Sequence, residues 1–240
     1  MIYHISNTTS TNDELRSGEY KEGDIVWAER QTAGRGQRGH SWSSAEGLDL
    51  TFSMLLEPSF LCVTEQFWAL RVTALALCDT FAEYGIGTRI KWTNDIYAGD
   101  RKITGVLIEN SLEGDRLSRM IIGIGINVNS TEFDPSLPNP TSMAAETGGR
   151  FDRQEVLEHF AANMKRRYEE LRAGAEEELA KCYDSRLYRL GEMHTFALPD
   201  GTRFEAAING TEPAGRLVVR LADGRLKSYA FKELEFVLKK

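Results

Sequence analysis

Gln31-Thr-Ala-Gly-Arg-Gly-Gln-Arg-Gly-His-Ser-Trp42 is the stretch on which the reading of this chain turns. Gly34, Gly36 and Gly39 interleave with Arg35 and Arg38. Glycine lets a ligand approach backbone N–H groups closely. Arginine adds fixed charge on a planar donor fork that fits phosphate or carboxylate. The glycines also match the letters of the G-x-G-x-x-G dinucleotide fingerprint, which carries weight only between a strand and a helix. Asp24-Ile-Val-Trp-Ala-Glu29 before the loop reads as a strand. Gly47-Leu-Asp-Leu-Thr-Phe-Ser-Met-Leu-Leu56 after it alternates and then runs apolar, which reads as another strand. With no helix N-terminus to hold a pyrophosphate, the pattern argues against a nicotinamide or flavin Rossmann site. What remains is a strand–loop–strand unit. Its loop is either a solvated hairpin or a clamp for an anion.

Upstream, Ser10-Thr-Asn-Asp-Glu14 reads as a helix start, with Ser10 or Thr11 as N-cap and acids in the first turn. Downstream, residues 64–84 carry a broad apolar helical face that ends at Gly85, a glycine C-cap. Arg89-Ile-Lys-Trp92 reads as a short strand, and 94–100 as part of a hairpin. Residues 102–109 and 120–129 read as strands joined by a hairpin loop over 111–116. Three prolines make 131–142 an irregular surface loop, and 153–169 is an amphipathic helix with further helix to about Arg186. After Leu190 the pattern changes to short alternating runs with turn signals at Pro199-Asp-Gly201, Asn209-Gly210 and Asp223-Gly224. That pattern predicts a small β-barrel packed on the larger unit.

Composition narrows the classes. The 240 residues are 41% hydrophobic, enough to build a core. A net charge of −7 argues against a general nucleic-acid or membrane-surface binder. Cys62, Cys78 and Cys182 are widely spaced and read as reduced thiols, and the four histidines show no metal-ligand spacing. The N-terminus lacks the regions of a signal peptide, and no apolar run spans a bilayer, so the expected localisation is cytoplasmic.

Four segments pool polar residues among apolar ones: Ser10-Thr-Asn12, the glycine–arginine loop, Lys91-Trp-Thr-Asn-Asp95 with Arg101-Lys102, and Gly123-Ile-Gly-Ile-Asn127. Each alone has a plainer reading, such as a helix cap, a snorkelling lysine or glycines that allow close strand packing. In this order and spacing they resemble the catalytic domain of biotin–protein ligases over roughly residues 1–190. The remaining fifty residues fit that family's small SH3-like barrel more loosely. The resemblance implies an α+β fold, a class II aminoacyl-tRNA-synthetase-like catalytic domain with a mixed β-sheet and flanking helices. A biotin ligase catalytic domain over 1–189 and a C-terminal SH3-like barrel over 190–240 are expected.

The resemblance also implies chemistry. Biotin would be activated as biotinyl-5'-AMP with ATP and Mg²⁺, and transferred to a lysine of a biotin carboxyl carrier domain. No tightly bound prosthetic group is expected, nor a DNA or membrane partner. The Ser-Thr-Asn motif begins too near the start to leave room for a helix-turn-helix, and a homodimer is compatible with the family. Arg35, Lys102 and Asp95 are the expected catalytic residues. Ser10, Thr11, Asn12, Gln31, Gly34, Arg35, Gly36, Gln37, Lys102 and Gly105 are expected to bind biotin. Arg38, Trp42, Lys91, Asn94 and Asn127 are expected to bind ATP, with Mg²⁺ near Asn94 and Asn127 but held by no protein side chains alone. Residues 34–41 are expected to order over the ligand. Two positions depart from the family pattern: Thr93 stands where proline is common, and Gln37 where many members carry a second loop arginine. The rival reading is a lipoate–protein ligase, which shares the adenylation chemistry.

Overall fold

The expected strand–loop–strand unit is present. The structure, a computed structural model, describes residues 1–16, 19–37 and 41–237. β1 (Ile2–Thr8) and the short helix α1 (Thr11–Leu15) precede β2 (Ile25–Gln31), which pairs antiparallel with β3 (Leu50–Leu56), Ile25 opposite Met54 and Ala28 opposite Thr51. A strand, not a helix, follows the loop. Ser10 stands at the N-cap of α1 but makes no side-chain capping bond, so the cap reading of its hydroxyl does not hold.

β4 (Thr88–Lys91), β5 (Asp95–Ala98), β6 (Arg101–Glu113) and β7 (Arg116–Ile126) complete a seven-stranded mixed sheet in the order β1-β2-β3-β7-β6-β5-β4. β1 and β2 are parallel and the other pairs antiparallel. The β6–β7 hairpin runs longer than its sequence suggests. Pairing continues to Glu113 opposite Arg116, so the loop expected over 111–116 shrinks to a tight turn.

Side chains alternate across a strand. One face presents Phe52, Met54, Ile122 and Ile124 to α2 (Phe67–Glu83) and α4 (Arg153–Arg172), where most of the core lies. The other face has a small apolar cluster of Leu15, Val26, Leu55 and Ile121 under α1. Beyond that cluster the same face turns polar and bare. α2 stops where Gly85 takes φ +72°, and Asp152 caps α4 by accepting from the N–H groups of Gln154 and Glu155. Two local elements depart from the sequence reading. A one-turn helix α3 (Met143–Thr147) follows the proline loop, and Gly174 breaks the chain before α5 (Glu176–Ser185).

The last strands are β8 (Met193–Ala197), β9 (Arg203–Thr211), β10 (Leu217–Leu221), β11 (Leu226–Tyr229) and β12 (Glu235–Phe236). They form an antiparallel sheet in the order β11-β10-β9-β8-β12. Its outer strands are not paired to each other among the described residues, so the expected barrel is an open sheet. Asn209-Gly210, read as a turn, lies inside β9. There the pairing with β10 slips and Gly210 takes φ +132°, a bulge.

Polar anchors fix this sheet to the larger one. Arg71, 1% exposed, donates to Thr211 Oγ1 and to the Glu212 carbonyl. Trp92 Nε1 donates to the Gly215 carbonyl at 2.9 Å. Gly215 has φ +88°, and a Cβ there would meet the Phe67 ring at 2.3 Å. The three cysteines are free, and no helix among the described residues is long and apolar enough to cross a membrane.

α2 and α4 are tied by charge as well as by packing. Asp79 accepts from Arg166, Arg167 and Arg186 at 2.6–2.7 Å. Burial alone pushes the Asp79 carboxyl up, but the three arginine hydrogen bonds overcome it and hold the group below its ordinary pKa. Such a carboxylate stabilises the fold above its unfolded pKa, and that contribution is lost as pH falls through the folded value. Stability is expected to decline below about pH 4. Asp79→Asn, which strands Arg186 while Arg166 and Arg167 keep Glu170, is expected to cost about 3 kcal/mol at neutral pH and to flatten the acid decline. Urea titrations at neutral and acid pH check both.

Candidate active site

The bare face of the sheet is set by register. Ser53 pairs with Gly123 and Thr51 with Gly125, while across the next ladder Gly105 faces Gly125 and Leu107 faces Gly123. Three glycines on adjoining strands leave a hollow where a sheet would normally carry side chains. α1 lies at one end of this hollow, and Arg35, Gly36, Gln37 and Trp42 of the glycine–arginine stretch line it.

At the α1 end the polar groups are buried and linked. The Thr11 N–H donates to Gln31 Oε1 at 2.8 Å. The Thr11 and Ser53 hydroxyls are 2.6 Å apart, and Ser53 donates to Asn12 Oδ1 at 2.5 Å. Asn12 Nδ2 donates to Glu109 Oε2 at 2.6 Å. These groups carry no charge until Glu109. Ser10, Thr11, Asn12 and Ser53 are all at most 4% exposed. A side chain at Gly123 would disturb this network, because a Cβ there would lie 2.4 Å from Asn12 Oδ1 and force the amide to move.

The loop is closed at its base by backbone. The Trp42 N–H donates to the Gly34 carbonyl at 3.0 Å, and Arg35 bridges Ser41. The Trp42 indole then drops onto the glycines: a Cβ on Gly125 would meet it at 2.0 Å and one on Gly105 at 3.0 Å. Its Nε1 is buried with no hydrogen-bond partner among the described residues, a donor that an acceptor on a ligand would satisfy.

At the other end, Lys102 Nζ pairs with Asp95 Oδ1 at 2.7 Å and sits 5.8 Å from the centre of the Trp42 ring. β5 and β6 supply these two residues, with Asp95 opposite Gly105. Asn94 Nδ2 is held by the Val106 carbonyl. Lys91 Nζ lies 5.3 Å from the Tyr97 ring and 5.1 Å from the ring of Phe236, which belongs to the second sheet.

Two cavities meet in this region. The narrower, about 50 Å³, is lined by Ser10, Thr11, Asn12, Gln31, Arg35, Gly36, Gln37, Trp42, Asn94, Lys102 and Gly105 among others. The wider, about 550 Å³, is lined by Lys91 and Asp95, and by Phe231 and Phe236. Gly36, Gln37, Trp42, Asn94 and Lys102 line both. Arg35 and Lys102 thus share one cavity.

Not every expected residue reaches these cavities. Gly34 closes the loop base and lines neither of the two. Arg38 lies outside the described residues. Asn127 also lines neither cavity. It is 8% exposed and donates to the Thr141 carbonyl, while the 139–141 segment exchanges backbone bonds with Lys102. Its amide braces the strand that carries Lys102. Among the described residues no group of three His, Cys, Asp or Glu is gathered to hold a metal ion.

Sequence reasoning missed Ser53, Asp13, Glu109, Phe231 and Phe236. Ser53 had a signal: Thr51 and Ser53 are the polar residues on one face of an otherwise apolar strand. The two phenylalanines had none, because the packing of the second sheet brings them in.

The chain is similar to known proteins over nearly all of its length. Residues 1–127 match the biotin/lipoate A/B protein ligase family. The bifunctional ligase/repressor BirA of Bacillus spizizenii is 34% identical over 96% of this chain and 72% of its own. The biotin–[acetyl-CoA-carboxylase] ligase of Paracoccus denitrificans is 29% identical over 92% and 95%. Among solved structures, the biotin protein ligase of Aquifex aeolicus in complex with biotin and ATP matches with a TM-score of 0.84 at 28% identity, covering 98% of this chain and 99% of that one.

The seat of Trp42 is testable without any ligand. Gly125→Ala is expected to expel the indole and shift tryptophan emission to the red, and the shift should vanish in a Trp42→Phe background. Unchanged emission would mean that the sheet gives way instead.

Proposed function

The chain belongs to the biotin/lipoate A/B protein ligase family, and on that premise we propose that it activates biotin with ATP as biotinyl-5'-AMP and transfers the biotinyl group to a lysine of a carrier domain. The observation that carries this reading is the joined pair of cavities, with an uncharged polar hollow at one end and Lys102 at the junction with a wide cleft.

The ureido ring of biotin offers one carbonyl acceptor and two N–H donors. Hydroxyls and amides at Ser10, Thr11, Asn12 and Gln31 can match both kinds without charge. A site built this way strongly penalises a ligand that lacks the ring, and this favours biotin over lipoate. The valeryl chain would then run along the Gly105 and Gly125 bed, displacing the Trp42 indole that covers it, and bring its carboxylate toward Lys102.

In the first step that carboxylate attacks the α-phosphate of ATP, and pyrophosphate leaves. Two anions must meet, so cations are needed. A unit charge at about 4 Å contributes roughly 4 kcal/mol at an effective dielectric of 20. Lys102 and Arg35 supply such charge from the protein. Mg²⁺ enters with the ATP phosphates as part of the substrate. Lys91, Asn94 and the aromatic wall of the wide cleft are placed to receive the nucleotide and its leaving group.

In the second step the acceptor lysine attacks the mixed anhydride and AMP leaves. A free lysine ammonium has a pKa near about 10.4 and must lose a proton first. Asp95, which already pairs with an ammonium at 2.7 Å, would orient it and take that proton. Trp42 and the loop would keep water from the anhydride meanwhile. Gln37 lines both cavities with an amide where an arginine is common in the family, leaving one fewer charge to hold the anionic intermediate.

Incubation with biotin, lipoate, ATP and Mg²⁺ together is expected to yield biotinyl-AMP by mass spectrometry, and lipoyl-AMP in its place would move the chain to the other branch of the family. Lys102→Ala is expected to lower adenylate formation by about 100-fold or more, read as biotin-dependent pyrophosphate exchange. Asp95→Asn, which keeps a hydrogen-bond acceptor for Lys102, is expected to spare that exchange and slow transfer to a carrier lysine. Equal loss in both steps would remove Asp95 from the proton transfer.

A further inference from the structure

Arg35 lines the narrow cavity, yet both ends of its fork are already engaged. Nη1 donates to Asp13 Oδ2 and Nη2 to Asp13 Oδ1, each at 2.8 Å, and Nη2 lies 3.7 Å from Glu109 Oε1. A bidentate guanidinium–carboxylate pair uses the same two donors that a substrate carboxylate or phosphate would need. Arg35 cannot serve both partners with this fork.

A second arginine stands behind the same carboxylates. Arg16 Nη1 reaches Asp13 Oδ1 at 2.9 Å, and its Nη2 reaches Glu109 Oε2 at 2.7 Å. Should Arg35 leave, Asp13 and Glu109 would remain paired with Arg16. This matters because breaking an ion pair is costly mainly when it strands a desolvated charge. The groups are also partly exposed, Asp13 at 34% and Arg35 at 38% of the side chain, so the pair itself contributes little to stability. The exchange is therefore inexpensive by construction.

The cluster is wired to the other end of the hollow. Asp13 follows Asn12 on α1, and Asn12 Nδ2 donates to the same Glu109 oxygen that Arg16 holds. Displacement of Asn12 by a ligand in the hollow would thus be felt at the carboxylates that hold Arg35. The hydrogen bond and charge of Arg35, with Arg16 adding to them, keep the Asp13 carboxyl below its ordinary pKa, so it is the anion at neutral pH.

We propose that Asp13 is a positioning residue that holds Arg35 in reserve in the unliganded site, that the anionic end of the substrate competes with Asp13 for the Arg35 fork, and that Arg16 keeps the abandoned carboxylates neutralised. This rests on the reading that Arg35 serves the anionic end of biotin and its adenylate.

Calorimetric titration separates the possibilities, with biotin and its uncharged alcohol, biotinol, as probes. Asp13→Asn frees the fork and is expected to tighten biotin by about threefold or more, a modest gain suited to an exposed pair, while biotinol binds as before. In an Arg35→Ala background Asp13→Asn is expected to change nothing, since the effect passes through Arg35. The proposal is overturned if Asp13→Asn leaves biotin affinity unchanged or weakens it. It is overturned equally if biotinol shifts by the same factor, or if the gain persists undiminished without Arg35, because Asp13 would then act through the fold or through its own field. A wild-type protein that binds neither probe would overturn the ligase reading itself.

Discussion

A Cβ on Gly123 would lie 2.4 Å from the Asn12 amide oxygen, and one on Gly125 would lie 2.0 Å from the Trp42 indole. The centre of the main sheet therefore has to be bare on one face, and the rest of the site follows from that. The same strands are crowded on their other face, where Phe52, Ile122 and Ile124 meet the helices. Alternation lets one strand do both jobs, bearing the core on one side and the bare glycine bed on the other. α1 and the loop can approach only because nothing projects from the bed to stop them.

Charge along this bed is paired. The Thr11–Ser53–Asn12 chain is neutral, the two carboxylates and two arginines of the Asp13, Arg16, Arg35 and Glu109 cluster cancel, and Lys91 and Lys102 line the wide cleft together with Asp95 and Glu235. Net charge over the whole chain, −7, says nothing of this, because it averages over a surface on which the site is a small part.

Much of the arrangement was legible beforehand. Strand, loop and strand around Gly34–Trp42 could be read because alternation and glycine act locally. The convergence of Ser10–Asn12, Gln31, Lys102 and Gly105 was implied only by the resemblance of four ordered motifs to those of biotin–protein ligases. Three things were not legible. Asn209-Gly210 looks like a turn, but its pairing with β10 absorbs it as a bulge. The rim carboxylates Asp13 and Glu109 look like ordinary surface charges until the fold sets Arg16 and Arg35 beside them. Asn127 sits in a telling motif yet serves the backbone around Lys102, because burial rather than spacing decides what an amide can reach.

The bond from Trp92 to the Gly215 carbonyl also bears on how this chain can be handled. Phe231 stacks edge-on against the same indole, and Arg71 is sealed beneath Thr211 and Glu212. Cutting the chain after α5 would uncover Arg71, the Trp92 indole and the Phe67 ring in one stroke and remove one wall from the wide cleft. The small C-terminal sheet is thus no detachable module. A minimal version of this protein must retain at least the hairpin tip that clasps Trp92, and a graft from another chain must reproduce a carbonyl at that point.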